Sequence, residues 1–219
     1  MSPLLCPWWL GYPLASPARR WFHDPKSILS PYVHEGMTVL EPGPGMGHFT
    51  LEMAREVGHS GLVIAVDVQP KMLKVLSKRC LKAGLANRLE TRVAKNDDLG
   101  VGDLKGKVDF VLAFAMVHEL PDIPHFFSQI QKTLKSHARI LLAEPKFHVS
   151  STQFSRTLLA ADASGQPITG LTWTSSDPTI VSLSTDDPPV LTALAAGTVT
   201  IAAGTATAQI TISADALPI

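Results

Sequence analysis

The residues best suited to chemistry lie in a few short stretches, spaced along one half of the chain. Glu41-Pro42-Gly43-Pro44-Gly45-Met46-Gly47 sets an acid before three alternating glycines. Glycine lets a backbone turn tightly and meet a ligand with no Cβ in the way. Asp67 follows 20 residues beyond Gly47 and closes the apolar run Val63-Ile64-Ala65-Val66. An acid at that distance is placed to accept hydrogen bonds from both hydroxyls of a ribose. Asn96-Asp97-Asp98 offers groups for the amino group of an adenine. Further on, Phe114 leads into Ala115-Met116-Val117-His118-Glu119, and Glu144-Pro145 comes later still. His118 and Glu119 have two readings, a general-base pair beside a substrate or an ordinary structural loop. The remaining histidines show no ligand spacing, and two cysteines, Cys6 and Cys80, make neither a disulfide framework nor a four-ligand zinc site, so no metal is expected. Gly58-His59-Ser60-Gly61 precedes a strand rather than following one, which excludes a nucleophile elbow.

These stretches fall between elements that alternate in type. Thr38–Glu41 is a short β-branched run ending at the glycines. Apolar residues at Phe49, Met53, Ala54 and Val57 have helical spacing, with Gly58 as a stop. Leu62–Val66 is a continuous apolar run, as in a strand buried on both faces. Pro70 opens a helix lined by Met72, Leu76, Cys80 and Ala83 and stopped by Gly84. Leu89–Val93 is a third strand and Val108–Phe114 a fourth. Pro124–Lys135 is a helix with Phe127, Ile130 and Leu134 inward, and Ala138–Ala143 is a fifth strand after a turn at Ser136-His137-Ala138. Five strands alternating with helices predict a parallel α/β sheet of the Rossmann type, with helices on both faces and its ligand beyond the carboxyl ends of the strands.

On those residues, the stretch from about 35 to 148 resembles the cofactor-binding core of class I S-adenosylmethionine-dependent methyltransferases. Glu41 followed by Gly43-x-Gly45-x-Gly47 matches that family's first motif; in dinucleotide-binding dehydrogenases the third glycine comes one residue later. The resemblance implies S-adenosylmethionine as cofactor. Gly43, Gly45 and Gly47 would border its methionine portion, Glu41 would hold the ammonium, and Asp67 would hold the ribose. Asn96 and Asp97 would flank the adenine, and Phe114 to Glu119 would face the transferred methyl and the acceptor. The chain departs from the family where Ser136-His137-Ala138 replaces a Pro-Gly-Gly turn. It also changes composition soon after the fifth strand, where the family's last two strands are expected.

That change is abrupt. With 19 Lys+Arg against 19 Asp+Glu the chain is neutral, but residues 151–219 hold only one base, Arg156, against five acids. They also hold 13 Thr and 8 Ser. A boundary near Ser150 therefore divides a domain over 1–150 from a second over 151–219. The second shows short β-branched runs at Leu171–Thr174, Ile180–Leu183, Val190–Leu194, Thr198–Ala203 and Ala208–Ser213, separated by turn residues. That spacing predicts a small antiparallel sandwich. From Asp162-Ala-Ser-Gly-Gln-Pro through Leu171–Pro178 to Ala193–Thr200, about residues 155–214 resemble a bacterial immunoglobulin-like domain of group 2. Such modules are spacers or adhesive stalks, which leaves an alternative function: a non-catalytic chimeric or decayed protein whose stable part is this module. Neutral charge speaks against a nucleic-acid partner. No apolar run approaches the roughly 18 residues of a membrane span. With no export signal and unpaired cysteines the expected location is the cytoplasm, and the expected partner a small-molecule or protein methyl acceptor. Trp8, Trp9, Trp21 and Phe22 fit either a lid over the cofactor or a cap on the sheet edge.

Overall fold

The computed structural model describes residues 24–95, 97–144, 173–179, 181–183, 191–193, 195, 197–203 and 206–212. Asn96, the aromatic residues Trp8, Trp9, Trp21 and Phe22, and residues 145–172 around the expected boundary lie outside them. The chain divides into two compact units, Met1–Ala143 and Glu144–Ile219.

The described part of the first unit starts with a short helix, α1 (Pro25–Leu29). It is capped by Asp24, whose carboxylate accepts from the Ser27 N–H at 3.2 Å. There follow β1 (Thr38–Pro42), α2 (Thr50–Glu56), β2 (Leu62–Asp67), α3 (Pro70–Lys82), β3 (Leu89–Val93), β4 (Val108–Phe114), α4 (Ile123–Thr133) and β5 (Leu134–Ala143). The strands form one parallel sheet in the order β3-β2-β1-β4-β5. Because the chain steps outward from β1 to β3 and then returns to the other side of β1 for β4, the order reverses there. The crevice between the carboxyl ends of β1 and β4 is where such sheets take ligands.

The inner strands β1, β2 and β4 are largely buried on both faces, which is why they read as mainly apolar, β2 without a break from Leu62 to Val66. On one face Val39, Val63, Ala65, Phe110 and Leu112 join a core with Leu29, Val33, Met53, Leu73, Leu76 and Cys80. Tyr32 stacks on Phe110 with ring centroids 5.7 Å apart. Burying such side chains contributes about 1.5–3 kcal/mol each. Pro70 stands at the start of α3, and Gly84, with φ +72°, ends it in the left-handed conformation.

Two expectations need correction. The helix expected from Pro124 to Lys135 ends at Thr133, and Leu134 already pairs with Val108 in β5. Ser136-His137-Ala138 is not a turn between elements. It lies within β5, in a register shift between the pairs Leu134–Val108 and Arg139–Phe110. Neither glycine nor proline is present there to end the strand, so the extra chain is absorbed as a bulge. The helix read from the spacing of Phe49, Met53, Ala54 and Val57 runs from Thr50 to Glu56, with Gly47, at φ +84°, upstream of it.

In the second unit, β6 (Trp173–Ser175), β7 (Val181–Leu183), β8 (Leu191–Ala193), β9 (Gly197–Ala203) and β10 (Ala206–Ile212) pair antiparallel. They form a three-stranded sheet, β10-β9-β6, and a two-stranded one, β7-β8.

Candidate active site and family

Three of the acids singled out in the sequence meet at the carboxyl end of the sheet. Glu41, near the end of β1, is 4% exposed. Its Oε2 accepts the Thr50 hydroxyl at 2.5 Å, so the first residue of α2 fixes the acid at the mouth of the glycine loop. Burial pushes the Glu41 carboxyl up to about 8, the Thr50 hydroxyl opposes this, and the Asp67 charge adds to it. Asp67 ends β2 and is 8% exposed. Its Oδ1 accepts the Gln69 N–H at 2.8 Å. Burial raises Asp67 to about 6 against the pull of the Gln69, Gly45 and Val68 N–H groups, and Glu119 pushes it further in the same direction as burial. Asp67 is thus bonded to the glycine loop and electrostatically coupled to both other acids.

The three glycines of the loop do different things. All have positive φ. Gly43 is exposed, donates its N–H to the Val66 carbonyl at 2.8 Å, and faces Met116, whose Cβ and Cγ would lie 3.0 Å from an added Cβ. Gly45 is half-exposed, and a Cβ there would meet nothing within 4 Å. Gly47 is buried; a Cβ there would lie 2.3 Å from Leu76 Cδ1 and 2.9 Å from Leu51 Cδ1. Gly47 therefore lets α3 pack against the loop, Gly43 lets Met116 come close to it, and Gly45 leaves room in front of it. Arg79, from α3, donates to the Met46 carbonyl and ties the loop from behind.

From β4 the chain passes Ala115, the one described non-glycine residue with positive φ, +55°. Its N–H donates to the Ala143 carbonyl at 2.7 Å, joining the ends of β4 and β5. A short 3-10 turn, Val117–Glu119, then buries Val117, half-buries Glu119 and exposes His118. Phe114 packs its ring on Phe49, centroids 4.4 Å apart, as a partly buried neighbour of the core. Asp97 lies at the tip of a turn beyond β3. It is exposed, whereas Asp98 accepts the Gly100 N–H at 2.8 Å and closes its own loop.

Sequence reasoning missed three groups near this crevice. Val68 follows Asp67 and is 41% exposed, an apolar surface beside the acid. Arg79 reaches from α3 to the Met46 carbonyl of the glycine loop. Gln129 of α4 hydrogen-bonds to the turn that carries Asp97. Spacing gives no sign of the last two, since each acts on backbone distant in sequence. Among the described residues no cluster of His, Cys, Asp and Glu is arranged to hold a metal, and no helix is long and apolar enough to cross a membrane.

Known proteins agree with this architecture. A crystal structure of an S-adenosylmethionine-dependent methyltransferase from Aquifex aeolicus superposes with a TM-score of 0.63 at 22% identity, over 85% of this chain and 96% of that one. An S-adenosylmethionine-dependent O-methyltransferase from Thermotoga maritima gives 0.52 at 21% identity, over 81% and 63%. At these identities the likeness is one of fold. No curated protein matches the chain. The family model described as a methyltransferase domain matches residues 33–179, from α1's flank through the five parallel strands and on past β6. By that match the chain belongs to the methyltransferase domain family.

Proposed function

We propose that this protein transfers a methyl group from S-adenosylmethionine to a small-molecule or protein acceptor. One observation carries the reading: a buried acid, a glycine whose missing Cβ leaves open space, and a second acid converge at the switch point of a parallel sheet. Space at Gly45 suits a close-lying methionine portion. The Glu41 carboxyl, whose charged form burial disfavours, gains most from a cationic ammonium, which stabilises that form. Asp67, already held by backbone donors, keeps lone pairs for two ribose hydroxyls, and the exposed face of Val68 suits a flat base. The cofactor brings a methyl already activated on sulfonium sulfur. The chain then has to align acceptor and leaving group and exclude water. His118 and Glu119 stand on the acceptor side, where one of them takes a proton if the acceptor loses one as it attacks.

Calorimetric titration with S-adenosylhomocysteine tests the site. Asp67→Ala is expected to weaken binding by about 1.5–3 kcal/mol, the range for hydrogen bonds to a charged group. Equal affinity in wild type and variant would remove Asp67 from the site. His118→Ala is expected to leave the dissociation constant within about twofold, as an exposed residue on the acceptor side should. A collapse of affinity would move His118 into the cofactor site.

For residues 151–219 we propose an immunoglobulin-like module without a chemical role, supported by the antiparallel pairing of β6 to β10. The cytoplasm is the proposed location, in keeping with the free, buried thiol of Cys80.

A further inference from the structure

We propose that Gln129 is a positioning residue for recognition of the cofactor's base, a role that rests on the cofactor reading above. The turn after β3 closes on itself: the Lys95 N–H donates to the Asp98 carbonyl at 2.9 Å, and the Asp98 N–H returns to the Lys95 carbonyl at 2.7 Å. Its base is tied to the sheet, where the Ala94 N–H donates to the Asp67 carbonyl at 3.0 Å. Its far side is tied to β3, where Arg92 Nη1 donates to the Gly100 carbonyl at 2.8 Å. The tip is held by Gln129. Its Nε2 donates to the Asp97 carbonyl at 2.6 Å, and its Oε1 accepts the Leu99 N–H at 2.9 Å.

One primary amide thus spans the residues on either side of Asp98, using its donor and its acceptor at once. Only an amide side chain offers that pair at that spacing. Both bonds go to backbone, so the clamp fixes where the turn lies and leaves the Asp97 carboxylate with no hydrogen bond among the described residues. The platform is rigid: α4 buries Phe126, Phe127, Ile130 and Thr133, and its N-terminus is capped by Asp122, which accepts the His125 N–H at 2.8 Å. Gln129 sits next to Ile130, which is fully buried. The consequence is selectivity. A carboxylate held in place accepts from the exocyclic amino group of adenine and rejects a base that presents a carbonyl there, because two acceptors then face each other.

The test compares S-adenosylhomocysteine with S-inosylhomocysteine, which carries oxygen in place of the amino group, on the full chain. Wild type is expected to prefer the adenosyl compound by about tenfold or more, and Gln129→Ala to lose most of that preference at little change in thermal stability. Gln129→Glu keeps the acceptor for Leu99 but loses the donor to Asp97, so it is expected to lose the preference as well. Amide hydrogen exchange reads the clamp without any ligand: Leu99 should exchange faster in Gln129→Ala and remain protected in Gln129→Glu. Wild-type preference retained in Gln129→Ala would overturn the proposal, as would unchanged Leu99 exchange. A wild type that binds both compounds equally would overturn it together with the assignment of Asp97. A wild type that binds neither would sink the cofactor reading, and the base-recognition role with it.

Discussion

Gly47→Val should cost the fold about 2–5 kcal/mol, read as a lower urea midpoint, before any question of ligand arises. Two effects add. The backbone there has φ +84°, where a Cβ is strained by roughly 1–2 kcal/mol. That Cβ would also lie 2.3 Å from a methyl of Leu76, a residue with no exposed surface. Overpacking of this kind costs typically about 1–3 kcal/mol. Gly45→Ala is the control. Its Cβ meets nothing, so its stability loss should be confined to the strain of φ +55°, while affinity for S-adenosylhomocysteine falls steeply. If both variants were equally stable, the division of labour within the loop would be wrong.

The second large effect concerns pH. Glu41 has its carboxyl raised from the ordinary 4.5 to about 8, first by burial. Between those values the folded chain holds a proton that the unfolded chain has released. Stability is therefore greatest below about pH 4.5 so far as this group decides it, and falls as pH rises toward 8. Asp67, raised from 3.8 to about 6, adds a loss of the same sign over a lower window. The melting temperature should drop by several degrees between pH 5 and pH 8.5, corresponding to a few kcal/mol. Glu41→Gln should flatten the upper part of that slope and be more stable than wild type at pH 8.5. A wild-type melting temperature that is flat across the range would mean that Glu41 is solvated or paired in solution. Binding an ammonium beside Glu41 should likewise release a proton near neutral pH. Titrations in buffers of different ionisation enthalpy would then give different apparent heats.

The elements that carry Glu41, Asp67 and Phe114 were legible because a strand buried on both faces is mainly apolar, as β1, β2 and β4 are. The placement of the acids at strand ends followed from topology. What was hidden is equally physical. α1 has five residues, too few to show a period. The start of β5 was obscured because a bulge needs no turn residue. The three glycines look alike in sequence, yet Gly47 answers to Leu76, Gly43 to Met116 and Gly45 to open space; only packing distinguishes them. Gln129 reads as an ordinary polar position on an amphipathic helix, since its partners are carbonyl and amide groups some 30 residues away.

The irregularity in β5 bears on how this fold tolerates insertions and deletions. Between Val108 and Phe110 of β4 there is one residue, Asp109; opposite it, between Leu134 and Arg139, there are four. Three residues are surplus to pairing. Lys135 is engaged through its ammonium, 2.7 Å from Asp109 Oδ1. Ser136, His137 and Ala138 are a reserve of chain length lying upstream of the regular register. A codon gained or lost there is taken up before Arg139, so Ala143 keeps its place and its carbonyl still receives Ala115. The same change between Glu41 and Thr50 has no such reserve and would shift Glu41 against Thr50. Length variation among relatives of this chain is therefore expected to collect before Arg139 and to be absent between Thr38 and Gly47.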